Sequence, residues 1–387
     1  MTNTNPTWGL AVASVAAFGL AASQAAADLR FTFGQPESYA TYEATKAFVD
    51  TLGEAGVPGK LFTSGSLLTL GETTPGVRDG LADIGFVVLP YTPAEFSESI
   101  LIANLSLLAT TGEIGEALEV PGASMNGATM EYIMLHCPEC QAQMKAQNHV
   151  FTSGTSSQDY VLACTAPIRS LDDFQGKRIR TGAANFTRWT EYLGGVPVQM
   201  PGNETYDGLS KGLLDCTTIG LADFYGQKHI EVTNAVVIGA PGGVYASLGF
   251  ANFNRDSWQA LSAEQRAAAL NAAAYGSAAS VMAYSEFDKV GYDATVEGGK
   301  HEIIEASDDI VAKTVEFAEA DLATIEMEMS KNYGVENAAE KLATARALIE
   351  KWKGLTKDIK RGDTEALAQL YRDEIYSKID AATYGMD

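Results

Sequence analysis

Positive charge is scarce in this chain. Against 27 lysines and arginines stand 49 aspartates and glutamates, a formal net charge of −22 over 387 residues. No basic cluster offsets the excess, so nucleic acid and anionic membrane surfaces are excluded as partners. Histidine is also rare. His136, His149, His229 and His301 form no H-x-x-x-H pair, and His301-Glu302 lacks the second histidine of a zinc protease. There is no G-x-S-x-G elbow, no P-loop and no G-x-G-x-x-G after a strand. The reading is therefore of a protein that is not an enzyme, with no cofactor and no metal-ligating residues picked out, metal dependence itself staying open. Cysteine is limited to Cys137 and Cys140 in a C-x-x-C, then Cys164 and Cys216. A structural zinc site would need a second pair at similar spacing. Two structural disulfides or buried thiols are expected, and all three pairings stay open. The acidic pairs Asp172-Asp173 and Asp308-Asp309 fall at expected helix starts, where carboxylates favour the macrodipole.

Charge is missing altogether from the first 27 residues. Residues 10–22 are apolar and alanine-rich, and Ala25-Ala26-Ala27 before Asp28 fits a small-residue cleavage site. The segment reads as a cleaved secretory signal without the usual basic start, too short to span a membrane comfortably. No cysteine follows it, so lipid anchoring is not expected. The mature protein is expected in the periplasm.

What is present is an ordinary globular composition, 46% apolar and 20% charged, long enough for two domains. Residues 29–33 alternate as a strand, 39–55 read as a helix, 60–62 as a strand and 73–81 as a helix. The apolar run 83–89 suits a buried parallel strand. This alternation implies an α/β layer with right-handed crossovers. Residues 120–150 read as helical. A second α/β unit begins near Val150, and residues 245–254 return as a strand to the first sheet. Ser262 with Gln265 is a capping-box pattern. Two later stripes, Val315, Leu322, Ile325, Met329 and Leu342, Ala345, Ile349, Trp352, are expected as core. The expected division is a signal at 1–27, domain I at 28–152 plus about 245–285, and domain II at about 153–244 plus 286–387.

The most informative run is Ser170-Leu-Asp-Asp-Phe-Gln-Gly-Lys-Arg-Ile-Arg-Thr-Gly182. It spells a turn, a strand ending near Arg180, and a second turn before a helix near Asn185. In open α/β sheets ligands bind beyond the carboxyl ends of strands. A helix start there offers backbone N–H groups, and arginine matches a carboxylate bidentately. On the residues alone Arg180 is either such a clamp or a salt bridge, and Arg178 shares its strand parity.

The run and its continuation resemble the solute-binding proteins of tripartite ATP-independent periplasmic (TRAP) transporters, the C4-dicarboxylate-binding family. The matching residues are Leu171, Asp173, Gly176, Ile179, Arg180 and Gly182, then Gly195, Pro197, Val198, Met200, Pro201, Glu204, Tyr206, Leu209, Gly212 and Asp215. Weaker echoes are Val77–Gly85 and Asn254-Arg-Asp-Ser-Trp258 with Leu261. The resemblance implies a periplasmic-binding-protein-like α/β fold, with two domains around a ligand cleft, a long connecting helix and a helical C-terminal region. It implies closure on a small-molecule organic acid and delivery to membrane permease subunits driven by an ion gradient. It selects Arg180 as the carboxylate ligand. The family often has Phe at Gly202, Asn at Ile219 and a second arginine near Tyr160. Those departures predict one clamp in a larger, less polar pocket, suited to a monocarboxylate with an apolar or aromatic body. The expected ligand-binding residues are Arg180, Tyr160, Trp189, Gly202, Ile219, Tyr225 and Gln35. Phe186 and Tyr206 are further wall candidates, and Ser64 and Thr92 further polar ones. An ATP-driven importer subunit, an exported enzyme on a small acid, and a sensor are the alternatives.

Overall fold

Two sheets share the chain between them. The computed structural model describes residues 1–4 and 28–387, so the expected signal segment lies outside the described residues apart from its first four. The strands are β1 (Leu29–Thr32), β2 (Gly59–Phe62), β3 (Ile84–Val88), β4 (His149–Thr155), β5 (Asp159–Cys164), β6 (Arg178–Thr181), β7 (Val196–Gln199), β8 (Cys216–Gly220), β9 (Ala235–Val244), β10 (Leu248–Asn254) and β11 (Glu302–Glu305). The first sheet runs β2-β1-β3-β10-β4 and the second β11-β9-β5-β8-β6-β7.

In the first sheet, β1 pairs in parallel with β2 and β3. The helices Tyr42–Glu54 and Thr73–Arg78 make the crossovers. Every residue of β3 is buried, as its unbroken apolar run requires. In the second sheet, β6 is parallel to β7 and β8, while β5 is antiparallel to β8 and β9. This is the expected α/β architecture.

Among the described residues, successive strands pass from one sheet to the other three times. Residues 156–158 link β4 to β5, and residues 245–247 link β9 to β10. The third crossing is the helix Ala263–Gly298, 36 residues long. The crossings are bonded to one another. Ser157 N–H donates to the Tyr245 carbonyl at 3.1 Å, Tyr245 N–H donates to Ser157 Oγ at 2.8 Å, and Gln158 Nε2 donates to the Val281 carbonyl at 3.2 Å.

The long helix starts at the expected capping box. Gln265 N–H donates to Ser262 Oγ at 3.2 Å, and Ser262 N–H to Gln265 Oε1 at 2.9 Å. Its first half lies on the first sheet, where Ser277 Oγ donates to the Gly154 carbonyl and Ser280 Oγ to Thr155 Oγ1. Its second half lies on the short helix Leu221–Gly226 of the second sheet. There Asp288 Oδ1 accepts the Ala222 N–H at 2.7 Å. Gly291 permits the approach, because a Cβ at that position would stand 2.2 Å from the Leu221 carbonyl oxygen.

The C-terminal region divides differently from the expectation. The helix Asp308–Tyr333 packs on the second sheet's side, where Thr314 Oγ1 accepts from Trp189 Nε1 at 2.9 Å. The helices Ala338–Thr356 and Thr364–Glu374 pack instead on the first sheet's side. Trp352 Nε1 donates to Glu131 Oε2 at 2.7 Å, Tyr371 donates to the Ala123 carbonyl at 3.2 Å, and Tyr384 to the Phe151 carbonyl at 2.6 Å. The cause is the helix Pro121–Glu131, buried on every face. Gly127 opens a slot there, and a Cβ on it would meet the Trp352 ring at 2.2 Å. The stripe that includes Trp352 is core throughout, whereas Val315 of the other stripe is exposed.

Both cysteine pairs are bonded, Cys137–Cys140 and Cys164–Cys216. The second joins β5 and β8 at directly paired positions. Among the described residues no helix is long and apolar enough to cross a membrane, and no group of three His, Cys, Asp or Glu is placed to hold a metal.

Candidate functional site

Strand β6 delivers Arg180 to the cleft between the sheets. Its side chain is buried, 3% exposed. Nε donates to the Met200 carbonyl at 3.0 Å and Nη1 to the Thr218 carbonyl at 3.5 Å. Among the described residues it forms no ion pair. Arg178, two residues earlier, is different. It clamps Asp215 through Nη2 at 2.8 Å and Nε at 3.0 Å, and its backbone N–H donates to the same carboxylate at 2.8 Å. The strand thus carries one arginine already neutralised by a carboxylate and one that is not. A buried guanidinium without a counter-charge is costly unless an anion completes it.

Gly182 is required immediately after the strand. A Cβ there would stand 2.8 Å from Arg180 Nη2 and 2.9 Å from the Tyr245 ring. Tyr245 donates to the Gly182 carbonyl at 2.7 Å.

Arg180 lines a cavity of about 40 Å³. Of the residues expected to bind ligand, Gln35, Tyr160, Gly202 and Ile219 line it as well. Trp189 does not. It is fully buried in the core, edge-on to Phe174 at 5.3 Å and bonded to Thr314. Its helix face is claimed by the helix Asp308–Tyr333, which spacing from Arg180 alone does not reveal. Tyr225 is also elsewhere, 40% exposed. It lies two residues from Asp223 on a helix, which turns it to another face. Phe186 stands behind the wall, stacked on Tyr160 at 4.7 Å. Tyr206 reaches Glu231 on the surface at 3.3 Å. Ser64 and Thr92 do not line the cavity.

Other lining residues were not legible beforehand. Tyr39 and Tyr284 share a hydroxyl–hydroxyl hydrogen bond of 2.7 Å, and Tyr91, Ser157, Asp223, Gln227 and Tyr245 complete the polar lining. Leu70, Phe86, Val88 and Leu248 supply apolar surface. Each of the three crossings contributes one residue, namely Ser157, Tyr245 and Tyr284. Tyr91 accepts the Gly202 N–H at 3.0 Å from across the cleft. The cavity as it stands has room for about three water molecules.

Burial pushes the Asp223 carboxyl up to about 6, with the charge of Arg180 acting the other way. Burial, reinforced by Asp223, also raises Tyr39 and Tyr284 well above the ordinary phenol range. Their hydroxyls are neutral near pH 7 and serve as hydrogen-bonding groups. The site therefore joins one fixed cation and the Asp223 carboxyl to neutral hydroxyls and apolar walls, and the cation is the group that can hold a small anion while the rest orients its body.

Residues 33–328 match the family described as DctP, bacterial extracellular solute-binding protein, family 7. The fold is also that of solved solute-binding proteins. An extracytoplasmic solute receptor of Bordetella pertussis, solved with pyroglutamic acid, is 20% identical with a TM-score of 0.68, covering 83% of this chain and 100% of that one. A TRAP solute-binding protein of Rhodoferax ferrireducens, solved with copurified benzoate, is 20% identical with a TM-score of 0.70, covering 85% and 99%. A marine metagenome TRAP solute-binding protein in complex with 3-hydroxybenzoate is 21% identical with a TM-score of 0.68, covering 84% and 98%. With the match spanning both sheets and the cleft between them, this chain belongs to the bacterial extracellular solute-binding protein family 7.

Proposed function

We propose that this protein is the periplasmic receptor of a TRAP transporter, capturing a small organic monocarboxylate and handing it unchanged to the membrane permease. Arg180 carries the reading. It is buried on the cavity wall, held by two carbonyls and paired with no carboxylate of its own chain among the described residues. A ligand carboxylate supplies the missing charge, with a net gain of about 1.5–3 kcal/mol for the charge-assisted bond. Tyr160 and Ile219 stand at positions where the family often has polar groups, and they favour a single clamp over the two that a dicarboxylate needs. The acids carried by the similar structures, pyroglutamate, benzoate and 3-hydroxybenzoate, are monocarboxylates and support the same class.

Calorimetric titration with a panel of small mono- and dicarboxylic acids tests the reading. A monocarboxylate binds at one site per chain and is recovered unchanged. Arg180→Ala loses that binding while keeping its unfolding transition, and Arg178→Ala keeps the binding. Equal affinity of the Arg180→Ala protein for the acid would overturn the clamp, and tight binding of succinate or malate alone would overturn the monocarboxylate preference.

A further inference from the structure

Resting on that reading, we infer that the site selects acids carrying a hydrogen-bond donor on the carbon beside the carboxylate, and that Asp223 and Gln227 are the acceptors that read it. Both residues come from one short stretch, Asp223 in the helix Leu221–Gly226 and Gln227 at its C-terminal cap. Four residues apart, they present their side chains on one face. Both line the cavity that Arg180 lines.

Their oxygens are the unusual feature. Asp223 Oδ1 and Gln227 Oε1 are buried and have no hydrogen-bond partner of good geometry, the Tyr39 hydroxyl and the Gln227 amide being the side-chain donors nearest the Asp223 carboxyl. Asp223 is 8% exposed. A buried acceptor left unmade costs the full desolvation of that group, so native proteins rarely keep two together without use. Arg180 does not satisfy them, since its resolved partners are the Met200 and Thr218 carbonyls.

Gly202 sets the spacing. A Cβ built there would stand 3.4 Å from Gln227 Oε1 and 3.7 Å from Arg180 Nη2. The gap left by this glycine therefore has the Arg180 guanidinium on one side and the Gln227 amide on the other, its oxygen at 3.4 Å and its nitrogen at 3.6 Å. A carboxylate placed on Arg180 leaves its neighbouring carbon facing the acceptors. A hydroxyl, a lactam N–H or an ammonium on that carbon completes them, and a methyl group leaves them bare. Acids that merely fill the space are penalised for this reason.

The test uses pairs of equal shape that differ only in the donor. They are 2-hydroxyisobutyrate against pivalate, pyroglutamate against its lactone analogue, and alanine against isobutyrate, titrated into the intact mature protein. In at least one pair the donor-bearing acid should bind tighter by at least about tenfold, and the pair that shows it identifies the donor. The ratio should collapse toward one in Asp223→Leu and Gln227→Met, through a loss of affinity for the donor-bearing acid that exceeds any change for its donor-free partner. If acids bind through Arg180 but every pair gives a ratio near one, the inference fails while the receptor reading stands. If the ratio survives both variants, the acceptors are not these residues. If no acid in the panel binds, the receptor reading falls and the inference with it.

Discussion

The backbone N–H of Gly202 donates to the hydroxyl of Tyr91 at 3.0 Å. Gly202 follows β7 of the second sheet and Tyr91 follows β3 of the first, so this bond closes the cleft across the cavity. Tyr91→Phe removes the acceptor and leaves the ring. The closed form loses about 1 kcal/mol, and calorimetry should show acid affinity falling by several-fold, with faster ligand release by stopped flow. An unchanged release rate would mean that the bond contributes nothing to closure.

Gly202 also faces Arg180 and Gln227 with no side chain between them. Gly202→Phe directs a ring into a cavity of about 40 Å³. Acid binding should weaken by at least about tenfold, with the unfolding midpoint little altered because the ring enters the cleft and not the core. Retained affinity would show that the ligand sits elsewhere.

Gly291 and Gly127 are both packing glycines with opposite expected outcomes for binding. Gly291→Ala pushes a methyl group against the Leu221 carbonyl and displaces the helix that carries Asp223. Gly127→Ala pushes against Trp352, remote from the cavity lining. Each should cost about 1–3 kcal/mol in denaturant unfolding. Gly291→Ala should weaken acid binding, and Gly127→Ala should leave it intact.

Asp223 titrates near 6 in the folded chain against an ordinary 3.8, because burial disfavours its charge. The fold therefore holds this proton more tightly than the unfolded chain does. Its contribution is full below about pH 4, falls as pH rises to 6 and is level above that. Its size is on the order of 2–3 kcal/mol. Ligand-free wild type and Asp223→Asn, compared by urea unfolding from pH 4 to 7, should differ with that slope. Parallel curves would show that Asp223 does not titrate in this range.

The legible parts of this molecule were the local ones. Strand β6, its turn and Arg180 sit inside one contiguous motif; strand parity is shared with Arg178, and the family motif is what singled out Arg180. Tyr39, Tyr91, Tyr245 and Tyr284 come from four separated segments and meet only when three crossings bring the sheets together, so no window of sequence contains them. Asp223 lay one turn beyond Ile219 and could have been sought there, as the first acidic side chain on the helix that follows β8. Trp189 illustrates the converse. Its position relative to Arg180 was read correctly, but the direction of its ring is decided by a helix more than a hundred residues later. The C-terminal helices went to the first sheet for the same kind of reason, since the glycine slot that receives Trp352 lies over two hundred residues away in sequence.

The long helix is fastened to each half of the molecule close to the cavity. Tyr284 is tied to Tyr39 on the first side, and Asp288 to Ala222 on the second. Four residues separate the ties, about 6 Å of helix, or one turn. Any rotation of one half against the other must be accommodated in that turn as well as in the two short links at 156–158 and 245–247. Tyr284 is both a wall of the cavity and one end of that turn. A molecule held in the cavity therefore touches, through Tyr284, one of the places where the two halves are joined.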